Sequence, residues 1–109
     1  MAETSKVLGQ SNPSATTLTD IYTAPAATRA IISSIVVANR DAAADSFRVS
    51  IAVAGAGDDV KQYLYYDLEI PGNDSFAATL GITIAATDVV RVYSLNGTCS
   101  FSLFGAEVT

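Results

Sequence analysis

Histidine and tryptophan are absent from this 109-residue chain, cysteine occurs once, and no apolar run approaches the ~18 residues of a membrane-spanning helix. Without histidine, the commonest general base and the commonest metal-ligating side chain are missing. Cys99 alone can form no intramolecular disulfide and has no histidine to activate it as a nucleophile. It shares a strand face with Phe101 and Leu103, so it is expected to be a small buried hydrophobe in a protein made in a reducing cytosol. Bases are scarce as well: six against eleven acids leave a net charge of −5 with no basic run. That balance argues against DNA, RNA or an anionic membrane as partner. The segment Met1–Lys6 has neither a basic n-region nor an apolar h-region, so no signal peptide is expected. Asn73-Asp-Ser75 and Asn96-Gly-Thr98 match the glycosylation pattern but, without a secretory route, read as turn chemistry. Gly55, Gly57 and Gly81 are not followed by a helical pattern, which excludes a phosphate cradle of the dinucleotide or Walker kind.

What is present is a succession of short β-patterns. The chain length fits one domain, burying roughly 65% of its extended surface on folding. Residues 1–14 are small and polar around a short apolar island, Val7-Leu8, and read as a flexible N-terminal arm or a short edge strand. Residues 15–109 form the domain. Thr17–Thr23 is a strand stopped by Ala24-Pro25, because proline cannot donate to a ladder. Thr28–Asn39 is apolar on both faces around Ser33-Ser34 and suits a central strand covered on both sides. Asn39–Asp45 is a loop. Phe47, Val49, Ile51 and Val53 alternate with Arg48, Ser50, Ala52 and Ala54 in the clearest half-buried strand. In Val60–Ile70, strict alternation puts Leu64, Tyr66, Leu68 and Ile70 inside, with Tyr63, Tyr65, Asp67 and Glu69 outside. Pro71-Gly-Asn-Asp74 is a turn, followed by Phe76–Ile84 broken at Gly81. The last stretch, Asp88–Gly105, reads as two strands joined in a hairpin through Asn96-Gly97, with Val90, Val92, Cys99, Phe101 and Leu103 on its apolar side. About eight strands, a turn roughly every ten residues and no long 3.6-residue period predict an all-β antiparallel sandwich. A jelly roll leads and an immunoglobulin-like Greek key is the alternative.

The remaining candidates for chemistry are carboxylates. Asp67 and Glu69, two apart on one strand face, have the spacing for glycoside hydrolysis if opposed across a cleft, but read as solvated charge. Asp58-Asp59 beside glycines offers oxygen ligands for Ca²⁺, yet no EF-hand or nonapeptide spacing accompanies it and a turn is the better reading. No catalytic residue, metal ligand or cofactor site is assigned, and no enzymatic activity is expected. Aromatic side chains on the outer faces carry more information, because monomers seldom expose contiguous apolar patches. Tyr63, Tyr65, Tyr93 and Phe104, with Val7 and Leu8 of the arm, are the expected protein-interface residues. They imply self-association, and the doubly apolar Ile31–Val37 segment suggests a trimer.

Five segments carry a family likeness: Ile21-Tyr-Thr-Ala-Pro-Ala26, Ile32–Arg40, Tyr63–Asp67, Gly81–Asp88 and Ser102–Glu107. Together they resemble a group of small tailed-bacteriophage virion proteins, over a length from about Lys6 to the end. None of the five is a catalytic motif. The resemblance implies a virion component made in the bacterial host cytoplasm. Within that class, small β-sandwiches resemble capsid decoration, or cement, proteins that bind the major capsid protein on the outer shell and stabilise it. Tail, collar or baseplate pieces share the size and fold. A carbohydrate-binding module for host recognition is a further alternative, in which Tyr63 and Tyr65 would stack on sugars.

Overall fold

The computed structural model describes residues 2–109. Eight strands run β1 (Glu3–Ser11), β2 (Thr19–Thr23), β3 (Arg29–Asn39), β4 (Asp45–Ala52), β5 (Tyr63–Ile70), β6 (Ser75–Ile84), β7 (Val89–Ser94) and β8 (Cys99–Val108). Two four-stranded antiparallel sheets pack face to face, in the orders β1-β8-β3-β6 and β2-β7-β4-β5. The all-β sandwich expected from the spacing of turn signals is the observed architecture. Among the described residues the only helical pieces are 3₁₀ turns at Val53–Gly55 and Val60–Gln62.

The core lies where the apolar sides of the two sheets meet. Ile32, Ile35, Val37, Phe101 and Leu103 of the first sheet face Phe47, Val49, Val90 and Val92 of the second, all essentially without exposure. Each such side chain contributes about 1.5–3 kcal/mol relative to leaving it in water. Phe47 is the hub, with ring centroids 6.0 Å from Phe101, 5.4 Å from Phe76 and 6.1 Å from Tyr65. β3 runs between β8 and β6 inside its sheet, but only one of its faces is covered. Ala30, Ile32, Ile35 and Val37 are buried against the second sheet, whereas Ile31, Val36 and Ala38 on the outer face stay partly exposed, so the expected cover on both sides is not seen within the chain.

The expected terminal hairpin does not form. β7 pairs with β2 and β4, β8 pairs with β1 and β3, and the two belong to opposite sheets. The facing of their side chains is as expected; the mutual pairing is not. Gly97 has φ +74° while Asn96 lacks the positive φ of a type I′ turn, and Leu95–Thr98 instead carries the chain from one sheet to the other. The cause is long-range. The buried Asp45 carboxylate accepts hydrogen bonds from Ser94 Oγ (2.5 Å), Thr98 Oγ1 (2.9 Å) and the backbone amides of Asn96 (2.9 Å) and Ser46 (2.7 Å). One side chain at the start of β4 thus organises the crossing. Burial raises its pKa, but these bonds outweigh burial and bring it down to about 2.

The N-terminal segment takes the strand alternative, and the flexible-arm expectation for residues 1–14 is corrected over residues 3–11; Met1 lies outside the described residues. β1 pairs with β8 from Glu3 to Ser11, and a bulge between Val7 and Gly9 turns Leu8 into the core while Val7 stays half exposed. No Cβ fits at Gly9, which meets the Ile21 carbonyl of β2, so the sandwich is tightly closed on this side. Tyr22 of β2 donates to Glu107 of β8 (2.6 Å), which also holds Lys6 of β1 (3.0 Å). Leu8 is therefore a core residue and not the interface residue expected.

Candidate functional site

The side chains that stand out lie on the outer face of the second sheet, and a backbone irregularity places them there. In β4 the alternation is uninterrupted: Phe47 and Val49 point inward, Arg48 outward. On one side Arg48 is directly opposite Tyr93 of β7. On the other, Phe47 pairs with Leu68 and Val49 with Tyr65, so β5 has two residues, Tyr66 and Asp67, opposite the single Arg48. That is a β-bulge, and Asp67 takes the left-handed conformation (φ +53°) that aspartate tolerates better than most residues.

Because of the bulge, both Tyr66 and Asp67 reach the guanidinium. Arg48 Nε donates to Asp67 Oδ1 at 2.6 Å and Nη2 to Oδ2 at 3.3 Å. Its Cζ lies 4.2 Å from the ring centroids of both Tyr66 and Tyr93, within cation–π range on two sides. The hydrogen bonds to Asp67 push the guanidinium pKa further upward, partial burial opposing. Tyr63 completes the group, meeting Tyr66 edge-on at 5.0 Å and 89° and donating to Asp58 Oδ1 at 2.7 Å. Burial, then the Asp58 hydrogen bond, raises the Tyr63 phenol.

The loop after β4 supports this patch. Arg91 of β7 donates to the carbonyls of Ala56 (2.7 Å) and Gly55 (3.3 Å) and to Asp20 of β2 (2.9 Å), fixing the loop over the buried Ser50 and Ala52. Asp59 caps the Val60–Gln62 turn, and Gln62 donates to the Gly57 carbonyl at 2.8 Å. Asp58 and Asp59, weighed as calcium ligands, are engaged locally by Tyr63 and by this cap. Among the described residues, no three acidic, cysteine or histidine side chains converge as a metal site would require. A cleft of about 460 Å³ beside the loop is lined by Ile51, Val53, Ala56, Lys61 and Gln62, a set without a nucleophile and base in contact. Cys99 is a buried free thiol whose pKa burial pushes up to about 11.

The expected interface residues separate into three places. Tyr63 and Tyr93 come together around Arg48. Val7 and Phe104 are Cα partners on the outer face of the first sheet, Val7 half exposed and Phe104 less so. Leu8 and Tyr65 turn inward, Tyr65 packing on Phe47 and Phe76 at 6.1 and 5.3 Å. The reading of β5 is thus corrected: Tyr66 is 58% exposed and Leu64 43% exposed, where strict alternation placed both in the core. Arg48, Tyr66 and Asp67 were not among the expected site residues. No local signal marked them: Tyr65-Tyr66-Asp67 fits strict alternation, and the extra residue shows only in the pairing of β5 with β4. The chain matches no protein-family model and no curated protein by sequence.

Proposed function

We propose that this chain is a structural protein of a bacteriophage particle, a decoration subunit that attaches to the outer shell through the Arg48–Tyr66–Tyr93 face. The observation that carries the reading is the arginine held between two tyrosine rings on an open sheet face, with Tyr66 58% exposed. Tyrosine and arginine dominate the energetic centres of protein interfaces. Here they are already ordered by cross-strand packing and an ion pair, so docking sacrifices less side-chain entropy.

Strand order supports the particle reading. The sheet neighbours β1–β8, β2–β7, β3–β6 and β4–β5 describe one long antiparallel ribbon folded over on itself. This favours a jelly roll over an immunoglobulin-like sandwich, and jelly rolls serve in viral shells and in lectins. The exposed ring of Tyr66 beside the Asp67 carboxylate favours carbohydrate binding as the second reading.

The test is addition of the purified protein to expanded capsids. Saturable binding is expected, weakened by roughly tenfold or more in Tyr66→Ala and Arg48→Ala while both variants remain folded. Failure to bind capsids, with binding to tails or to a glycan, overturns the decoration reading. Undiminished capsid binding by both variants overturns the attachment face.

A further inference from the structure

We propose that the free edge of β6 pairs antiparallel with β6 of a second copy, about a two-fold axis at Ala78, joining two first sheets into one continuous sheet. β6 is bonded to β3 on one side only and lies at the end of its sheet. Along its other side, the backbone groups of residues 76–80 have no hydrogen-bond partner among the described residues. Such a row is a template for another strand unless charge, proline, shortness or irregularity blunts it.

The other three edges are blunted. β1 carries Glu3 and Lys6 and closes onto β2 at Gly9. β2 is five residues long and carries Asp20. β5 carries Asp67 and Glu69 and has register breaks on both sides of Val49. β6 is ten residues long and has no charged residue and no proline. Its irregularity lies at Leu80-Gly81, where Gly81 has φ +60°, leaving the run from Ser75 to Thr79 regular against β3.

The same edge leaves apolar area uncovered. Phe76, Ala78, Leu80 and Ile82 face the core but are only partly buried. Pairing about Ala78 sets Phe76 opposite Leu80 of the second copy and Ala77 opposite Thr79, which covers the two largest of these side chains. A second copy is the occupant the charges select. The chain carries a net charge of −5, so two copies meet most easily where neither presents an acid, and β6 is the edge that satisfies this. An isologous contact closes at two copies. The proposed dimer differs from the trimer expected from the sequence, and the contact does not depend on the attachment face around Arg48.

Sedimentation velocity on the intact chain at about 100 µM is expected to give twice the 11.3 kDa mass. In Ala77→Glu/Thr79→Glu, four carboxylates meet across the seam; the expected result is a folded monomer, with dissociation strengthened roughly 100-fold or more at low salt. Ala77→Lys/Thr79→Glu sets opposite charges across the seam and is expected to remain a dimer. A monomeric or trimeric wild type, or a folded double-acid variant that stays dimeric, overturns the proposal. Should that variant unfold, hydrogen exchange on the unmodified chain decides. Those amides of residues 76–80 that point away from β3 must gain protection between about 1 µM and about 100 µM; gain confined to β1, β2 or β5 also overturns it.

Discussion

Tyr65 and Ile70 stand an odd number of positions apart on β5, yet both side chains face the core. The bulge at Tyr66-Asp67 supplies the extra residue that makes this possible. Tyr65→Ala removes a ring packed on Phe47 and Phe76 and is expected to cost roughly 2–4 kcal/mol of folding stability. Tyr66→Ala removes an exposed ring and is expected to cost less than about 1 kcal/mol. Denaturant midpoints of the two variants check the assignment; the reverse order would restore strict alternation and remove Tyr66 from the outer face.

Asp67 combines a left-handed backbone with the ion pair to Arg48, and substitutions separate the two roles. Asp67→Asn keeps a side chain that tolerates positive φ and loses only a partly exposed ion pair, so stability should change by less than about 1 kcal/mol. Asp67→Val loses the pair and also forces a β-branched residue into the left-handed region, at an expected cost of about 1–3 kcal/mol. Equal effects in chemical denaturation would mean that the bulge is not under conformational strain.

The Asp45 carboxylate makes stability depend on acid. Its pKa in the folded chain is lowered from 3.8 to about 2, so the folded state prefers the ionised form. The contribution is fully present above about pH 5 and is lost as pH falls towards 2. Asp45→Asn should be destabilised at neutral pH by roughly 2–3 kcal/mol, since an amide cannot accept all the bonds now made. The difference in thermal midpoint between wild type and variant should shrink between about pH 5 and about pH 2. A constant difference would show that Asp45 does not titrate with folding.

Where residues follow one period without interruption, the fold was legible in the chain. β4 keeps its alternation through Phe47, Val49 and Ile51 and pairs regularly with β7, so the facing of these residues was readable. Val53, expected on the same inner face, is instead 68% exposed in the 3₁₀ turn after the strand, and Ser50 and Ala52, expected outside, are buried. β5 was not, because an inserted residue leaves no mark in a Tyr-rich run until the opposite strand is known. The Asn96-Gly97 signal is local, whereas the partner of each flanking strand is decided by distant contacts, including the carboxylate of Asp45. The candidate site inherits both difficulties. Tyr63 and Tyr93 were visible as outer aromatics, but Arg48, Tyr66 and Asp67 meet only because β5 bulges beside β4.

The same difficulty hid the role of β1, whose composition is that of a solvated arm although its backbone completes the first sheet. Leu8→Ala is expected to cost roughly 2–4 kcal/mol, because Leu8 is buried in the common core, whereas Val7→Ala, half exposed, should cost less than about 1 kcal/mol. Deleting residues 1–11 should cost more than either, since it uncovers the β8 edge and removes Leu8 together with the Lys6–Glu107 pair. Thermal unfolding orders the three variants, and hydrogen exchange reads the mechanism: in the truncated chain, β8 amides that now bond to β1 should lose protection while those bonded to β3 keep it. A truncated chain with wild-type stability and unchanged β8 protection would show that residues 3–11 behave in solution as a detachable arm, with Leu8 contributing nothing to the core.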